Sequence, residues 1–274
     1  SVALMAPHDP RSAPPEFHGR YDPDKVKLPE NFAVQCPVDT GALRIRDEML
    51  ADHPLDAGEV RGHWADYYAM IEHLDAGLGR ILDEVKAQGW EQETWFVFVS
   101  DHGLSLGAHG LMGKQHVFEE GVRVPLWVRA PGVRPGMVRE DPVWHFDLFA
   151  TLCRAAGCSV PASSEARDML PEKECPEPVR CPDDLYLGYG SEVRSIREGS
   201  LILIEYVGDG YRATQLFVLN DDHMERRDLS NDIRYRETIQ RLRERLRKAA
   251  ISKEDTSHPT GKIFWARYNR TQAQ

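Results

Sequence analysis

A glycine-rich stretch over residues 101–114 concentrates side chains that could bind a cation or an anion. Asp101 and His102 open this stretch and follow directly after an apolar run at residues 95–100. A carboxylate oxygen and an imidazole nitrogen both bind divalent metal ions, although two ligands alone do not complete such a site. The pair therefore indicates half of a divalent-metal site; the alternative is that Asp101 caps a turn and His102 packs on the loop.

Lys114 ends the same stretch, between Gly113 and Gln115. A neighbouring glycine removes steric cover, so the ammonium group could approach the oxygens of an anionic substrate closely. An ammonium group is a compact charge that suits phosphate or sulfate. The alternative is a solvated surface lysine, but the apolar residues among positions 118–126 indicate that the chain turns inward just after Lys114.

His8 is the third candidate, on a segment stiffened by Pro7 and Pro10. An imidazole there could donate a hydrogen bond to an anion or protonate a leaving group, and the alternative is a structural histidine. His109 and His116 lie close to Lys114 in the sequence, and we assign them supporting positions around the site.

The elements expected around these residues belong to an α/β fold. Residues 2–6 and 95–100 are continuous apolar runs of strand length, which are typical of strands covered on both faces in a parallel sheet. In open sheets of this kind, ligands bind beyond the carboxyl ends of the strands. Because His8 and Asp101 each follow one of these runs, neighbouring parallel strands would bring the candidate side chains to one cleft.

The remaining pattern predicts more helices and strands. Apolar residues at spacings of three and four over positions 67–85 predict a long helix before the second strand. A further strand is expected at 125–130 and a helix at 144–156. Beyond residue 183, three short strands indicate an antiparallel meander, and an amphipathic helix follows them. The three strands are expected at 192–197, 201–207 and 212–219, and the helix at 232–250.

These elements divide the chain into three parts. Residues 1–160 form part of a catalytic α/β domain, and residues 161–183 are a polar, proline-rich connecting segment. Residues 184–274 form a small α+β subdomain with a tail.

The composition disfavours several classes of protein. The 274 residues are 41% hydrophobic, as in an ordinary globular protein. The 34 Lys and Arg against 44 Asp and Glu give a formal net charge of −10, which disfavours nucleic-acid binding. No apolar run approaches the roughly 20 residues that a membrane span needs. The five cysteines are odd in number and irregularly spaced, so they indicate no disulfide framework, although Cys175 and Cys181 could pair.

Several of these segments together resemble the sulfatase family, within the alkaline-phosphatase-like superfamily. The specific part is the stretch at 100–126, which contains Ser-Asp-His-Gly and Leu-Gly-Ala-His-Gly-Leu-Met-Gly-Lys in this order. The resemblance spans most of residues 1–250. The other matching segments lie at 3–10, 67–75, 146–152, 216–219 and 227–229.

The resemblance implies an α/β alkaline-phosphatase-like sandwich with a mostly parallel central sheet, plus a small C-terminal antiparallel sheet packed with a helix. It implies a metal-dependent sulfuric ester hydrolase acting on a small-molecule or saccharide sulfate ester. From the composition we separately expect no nucleic-acid and no membrane partner. Asp101 and His102 would bind a divalent cation, usually calcium, with manganese or magnesium as alternatives. Lys114 would contact the sulfate oxygens, and His8 would lie beside the sulfate and the leaving-group oxygen.

One departure from the family pattern concerns the nucleophile. Family members carry a Cys-x-Pro-x-Arg motif whose first residue becomes a formylglycine, and none of the five cysteines here has it. The family's upstream Asp-Asp metal ligands are also absent. We expect both on an N-terminal part of the same protein that precedes Ser1, and we expect residues 1–274 alone to be inactive. Two alternatives stay open: a phosphonate monoester or phosphodiester hydrolase of the same superfamily, and a non-catalytic binding protein of this fold.

Overall fold

The computed structural model describes residues 1–170 and 184–270, and the chain in it divides into two units. The first unit comprises Ser1–Gly89, His102–Val124 and the residues from Asp184 onward; the second comprises Trp90–Asp101 and the residues from Pro125 onward to the gap. Both units are discontinuous in sequence. The predicted domain boundaries at residues 160 and 183 stay a prediction, and most of the connecting segment lies outside the described residues, as do Cys175 and Cys181.

Helix α1, Ala57–Ala87, is the longest element of the first unit and confirms the helix predicted from the apolar spacing. The Asp56 side chain caps its start by accepting a hydrogen bond from the Glu59 backbone N–H at 2.8 Å. Val60 and Met70 are buried, whereas Ile81 and Leu82 near its end are exposed. The opening residues of the chain border this exposed part, along a groove of about 450 Å³.

The strand expected at residues 2–6 is not formed. A strand needs a neighbour for its backbone N–H and C=O groups, and no described strand pairs with this segment. Val2 and Met5 are 63% and 82% exposed. The apolar run alone therefore wrongly indicated a buried strand, because the sequence of a strand does not identify its pairing partner.

A four-stranded antiparallel sheet confirms the predicted C-terminal meander and adds one strand to it. Its strands follow the chain order, and successive residues of the third strand point to opposite faces. Helices α4, Arg236–Ser252, and α5, Pro259–Arg270, cover one face, on which Leu203 and Leu216 pack with Leu242. The strands are β3 (Leu185–Tyr189), β4 (Val193–Glu198), β5 (Leu201–Val207) and β6 (Arg212–Val218).

The other face of this sheet supports the stretch that carries Lys114. Ile204 of β5 and Phe217 of β6 pack in one buried cluster with Leu111, Val117 and Phe118. A four-residue helix, α2 (Glu119–Val122), follows at once. The sheet therefore supports the chain on both sides of Lys114.

The second unit contains two short paired strands, labelled β1 (Phe96–Val99) and β2 (Leu126–Arg129), and helix α3 (Asp147–Ala155). The two strands pair antiparallel, with Val97 opposite Val128. A mostly parallel sheet was expected, and every strand pairing among the described residues is antiparallel. An apolar run is compatible with either direction, because its periodicity carries no information on strand polarity. Trp127 is 73% exposed, so this pair is not covered on both faces in the described chain.

The described residues include no helix that is both long enough and apolar enough to cross a membrane.

Candidate active site

His8 and Lys114 lie side by side in the first unit, although 106 residues separate them in the sequence. The His8 Nε2 atom is 2.9 Å from the Lys114 Nζ atom. On the other side of the ring, His8 Nδ1 is 2.8 Å from the Asp9 carbonyl oxygen. A carbonyl oxygen only accepts, so Nδ1 carries the ring hydrogen and Nε2 accepts a hydrogen bond from the lysine ammonium group.

Lys114 is positioned by a loop that folds back on itself. The Ser105 backbone N–H donates to the Gly113 carbonyl at 2.8 Å, and the Gly107 N–H donates to the Leu111 carbonyl at 2.7 Å. The Trp64 indole of α1 donates to the Leu106 carbonyl at 2.8 Å. The two backbone bonds close the loop, and the Trp64 bond joins it to α1. Leu106 and Met112 of the loop also pack with Val60 of α1 in one buried cluster.

Gly107 is required by the fold of this loop. Its φ angle is +96°, a backbone conformation that residues with a side chain rarely adopt. A β-carbon there would lie 2.8 Å from Val60 Cγ1 and 2.9 Å from Phe32 Cδ2. The glycine therefore permits the close approach of the loop to α1.

Asp47 is a neighbour of Lys114 that the sequence did not reveal. Its Oδ2 atom lies 3.6 Å from Lys114 Nζ and accepts a hydrogen bond from Gln115 Nε2 at 2.6 Å. Arg46 Nε donates to Oδ1 at 2.7 Å. Burial opposes ionisation of this carboxyl group, but the bonds from Gln115 and Arg46 and the Lys114 charge lower its pKa below the usual value. A carboxylate therefore lies beside the Lys114 ammonium group at neutral pH.

Glu48 holds the backbone just before Lys114. Its buried carboxyl group accepts hydrogen bonds from the Met112 and Gly113 backbone N–H groups, at 2.6 Å and 2.8 Å. Burial raises the pKa of Glu48, although these two bonds oppose the rise. A β-carbon on Gly113 would lie 2.8 Å from Glu48 Oε1, so glycine at this position allows the carboxyl group to reach the backbone.

Replacing Glu48 with alanine should lower the free energy of unfolding by at least about 2 kcal/mol, because two buried N–H groups then lose their acceptor at roughly 1–3 kcal/mol each. Urea denaturation followed by circular dichroism measures this loss. Glu140→Ala is the matched control, because Glu140 is exposed. A Glu48→Ala variant as stable as the control would contradict the anchoring role.

Asp101 and His102 lie in adjoining segments of the two units. Asp101 is exposed and follows β1 in the second unit, and His102 begins the next segment of the first unit. His102 Nδ1 lies 3.0 Å from the Gly103 carbonyl oxygen. The Gly103 N–H donates to the Gly121 carbonyl at 2.9 Å, which fixes the turn after His102. The structure thus brings His8 and Lys114 together, and the roles of all four residues stay predictions.

His109 and His116 form part of the buried core next to this site. Both rings stack on Phe118, with centroid distances of 3.7 Å and 4.0 Å. Burial, with a smaller contribution from His109, lowers the pKa of His116 to about 3. His116 is therefore neutral at physiological pH and packs as an aromatic ring.

Solved structures define the class of this fold. The phosphonate monoester hydrolase of Agrobacterium radiobacter superposes with a TM-score of 0.74 at 23% identity, over 90% of this chain and 55% of that one. A chain solved in complex with its substrate D-glucosamine-2-N,6-O-disulfate superposes with a TM-score of 0.66 at 23% identity, over 73% of this chain and 42% of that one. The fold is therefore that of the α/β, alkaline-phosphatase-like class, as predicted.

Sequence comparison then identifies the family. The family model described as Sulfatase matches residues 1–158, and the model described as N-sulphoglucosamine sulphohydrolase, C-terminal, matches residues 107–252. The chain belongs to the sulfatase family, which confirms the resemblance.

Curated relatives are similar over only part of their length. A choline-sulfatase of Rhizobium meliloti (strain 1021) is 29% identical over 243 residues, which cover 85% of this chain and 46% of the relative. The multifunctional alkaline phosphatase superfamily protein PehA of Trinickia caryophylli is 29% identical over 185 residues, covering 62% and 36%. The chain thus spans about half, or less, of the length of these relatives.

Proposed function

We propose that this chain provides the anion-binding residues and two metal ligands of a sulfuric ester hydrolase. The observation that carries the proposal is the contact between His8 Nε2 and Lys114 Nζ at 2.9 Å. It joins an imidazole and an ammonium group from distant parts of a sulfatase-family chain. Both side chains are only partly exposed, so their charges are less screened than those on an open surface.

The two side chains have separate tasks in this proposal. Hydrolysis breaks the bond between sulfur and the ester oxygen, and negative charge builds on the sulfuryl oxygens and on the departing oxygen. The Lys114 ammonium group offsets charge on the sulfuryl oxygens. When an ester binds, its sulfuryl oxygens would replace His8 Nε2 as the acceptor of the Lys114 hydrogen bond. His8 Nε2 is then available to hold a proton for the departing oxygen. The Asp9 carbonyl keeps the ring oriented through Nδ1.

Asp101 and His102 are the proposed metal ligands. If His102 Nδ1 donates to the Gly103 carbonyl at 3.0 Å, Nε2 carries the lone pair that a metal needs. An oxygen and a nitrogen donor suit a divalent cation, with calcium expected from the family and manganese or magnesium as alternatives. When bound, the cation supplies positive charge for the sulfuryl oxygens.

The nucleophile is proposed to come from a part of the protein outside these 274 residues. None of the cysteines stands in a Cys-x-Pro-x-Arg motif, and burial raises the pKa of the Cys36 thiol to about 11. A buried thiol that stays protonated is a poor nucleophile. We therefore propose a formylglycine supplied by the complete protein.

A phosphonate monoester or phosphodiester hydrolase is the second candidate. The relative described as a multifunctional alkaline phosphatase superfamily protein and the phosphonate monoester hydrolase fold neighbours favour it. An ammonium group and a divalent cation suit a phosphonate as well as a sulfate.

The test compares the complete protein on p-nitrophenyl sulfate and on p-nitrophenyl phenylphosphonate. We expect the higher kcat/KM on the sulfate ester, loss of activity with EDTA, and recovery with Ca²⁺, Mn²⁺ or Mg²⁺. A preference for the phosphonate would support the second candidate. No hydrolysis of either ester by the complete protein would support a binding protein instead. Residues 1–274 alone should hydrolyse neither ester.

A further inference from the structure

A second group of metal-ligand types lies in the first unit, apart from the residues assigned above. It consists of His109 in the loop before Lys114, Glu120 in α2, and Glu225 in the turn after β6. One ligand atom of each residue lies within 4.8 Å of one from each of the others. Three distant segments of the chain therefore bring an imidazole and two carboxylates together.

His109 and Glu225 are buried, Glu120 is partly buried, and the group is incompletely hydrogen-bonded. Glu225 is 1% exposed and His109 is 7% exposed. Glu225 Oε2 accepts a hydrogen bond from the Glu119 backbone N–H at 2.8 Å, whereas its Oε1 has no hydrogen-bond partner. Glu120 Oε2 also has none, and it lies 3.4 Å from His109 Nε2. Buried carboxylate oxygens without a donor are costly unless a cation or a proton joins them.

Asn31 has too few hydrogens to donate to every acceptor atom around it. Its Nδ2 atom lies within hydrogen-bond distance of Glu120 Oε1, of the Met224 carbonyl oxygen at 3.0 Å, and of His109 Nε2 at 3.1 Å. An amide nitrogen has two hydrogens, which the two oxygen acceptors use. In the tautomer that carries the ring hydrogen on Nδ1, His109 Nε2 faces Glu120 Oε2 at 3.4 Å with a lone pair available to a metal ion.

We infer that His109, Glu120 and Glu225 bind a divalent transition-metal ion, of which Zn²⁺ fits best. When the ion binds, both carboxyl groups must be ionised, and together with a neutral imidazole they then carry a charge of −2, which a divalent cation neutralises. Imidazole nitrogen and carboxylate oxygen are both zinc ligands, with metal–ligand distances of about 2.0–2.2 Å. Three protein ligands, one of them a nitrogen, fit Zn²⁺ better than Ca²⁺ or Mg²⁺, which take six or more ligands that are mainly oxygens. Water or another polar group would complete the coordination.

The ion would cross-link the segment that carries Lys114 to the C-terminal sheet. His109 and Glu120 stand on either side of Lys114 in the sequence, and Glu225 belongs to the turn that follows β6. Such a cross-link stabilises the native loop, because the ion binds the folded arrangement and not the unfolded chain. The role is structural, and it uses none of the residues proposed for the sulfate ester.

The experiment measures zinc in the complete chain by elemental analysis after equilibration with Zn²⁺ and removal of the excess. We expect one Zn²⁺ per chain in the wild type and in Asp101→Ala, and none in Glu225→Gln. Zn²⁺ should also raise the melting temperature of the wild type. Glutamine keeps the acceptor for the Glu119 N–H, and circular dichroism checks that the variant folds. Glu237→Gln, at an exposed glutamate of α4, is the matched control.

A second measurement covers the case in which Glu225→Gln fails to fold. Co²⁺ added to the wild type should give the visible bands of a four-coordinate site, and Zn²⁺ should displace them. Asn31→Ala should weaken Zn²⁺ binding by about 10–100-fold, the cost of losing an outer partner of a ligand. No bound zinc in the wild type, or equal zinc in the wild type and Glu225→Gln, overturns the inference and leaves a simple His109–Glu120 ion pair. Zinc lost only in Asp101→Ala overturns it too.

Discussion

Replacing Lys114 with alanine in the complete enzyme should lower kcat/KM for a sulfate ester by at least about 10²-fold, the scale for losing one charge-stabilising group. The loss should fall mainly on kcat if the ammonium group acts on the charge that develops as the ester bond breaks. Steady-state kinetics with p-nitrophenyl sulfate measure it. The Lys114 side chain is 18% exposed and lies between His8 and Asp47. Water that enters the space left by alanine would therefore not restore the lost positive charge.

Two further variants separate a charge effect from a packing effect. Lys25→Ala is the matched control, because Lys25 is 83% exposed and paired only at the surface with Asp22, and it should leave kcat/KM unchanged. Lys114→Arg keeps the charge but not the compact ammonium geometry, and should recover part of the activity. A loss of less than about threefold in Lys114→Ala, roughly 0.6 kcal/mol of transition-state stabilisation, would contradict the sulfate contact.

Residue types and local spacing are enough to select the candidate site residues and to predict part of the fold. Lys114 stood out because glycine precedes it and apolar residues follow it, and His8 because two prolines flank it. Helix α1 and the amphipathic side of α4 follow from spacings of three and four residues, which reflect the helix geometry directly. These features are encoded within a few neighbouring positions.

Asp47 and Glu48 could not be predicted in the same way. They lie in the long irregular stretch before α1, where no periodicity distinguishes a buried carboxylate from a solvated one. Their role arises from contacts with Lys114, Met112 and Gly113, more than 60 residues away. Only the tertiary fold brings such acceptors to those donors.

The partners and directions of the strands could not be predicted from the sequence either. Strand direction and partner depend on the rest of the sheet. The apolar runs at residues 2–6 and 95–100 indicate two neighbouring parallel strands, whereas residues 2–6 form no strand and β1, at the second run, pairs antiparallel with β2. Helix α5 was missed for a different reason. Its buried residues Phe264, Trp265 and Tyr268 are spaced for a helix face, but these few apolar positions lie in a segment for which only a tail is predicted.

Replacing His8 with alanine in the complete enzyme should lower kcat by about 10²–10⁴-fold, the usual contribution of a general acid or base. The loss should be larger for an alkyl sulfate than for p-nitrophenyl sulfate. An alkoxide is a poor leaving group that needs a proton as it departs, whereas p-nitrophenolate leaves readily without one. Parallel kinetics of the wild type and the variant on both esters measure this difference.

The leaving-group dependence also distinguishes proton transfer from mere support of Lys114. If His8 only orients the ammonium group through the 2.9 Å contact, its loss should reduce the rate on both esters by the same factor. Equal losses would therefore contradict the proton-transfer role while leaving the Lys114 prediction intact. His18→Ala is the matched control, because His18 is 65% exposed and lies beside Asp66 at the surface, and it should change neither rate. A loss confined to the alkyl ester would be the strongest support, because only a proton delivered to the departing oxygen separates the two substrates.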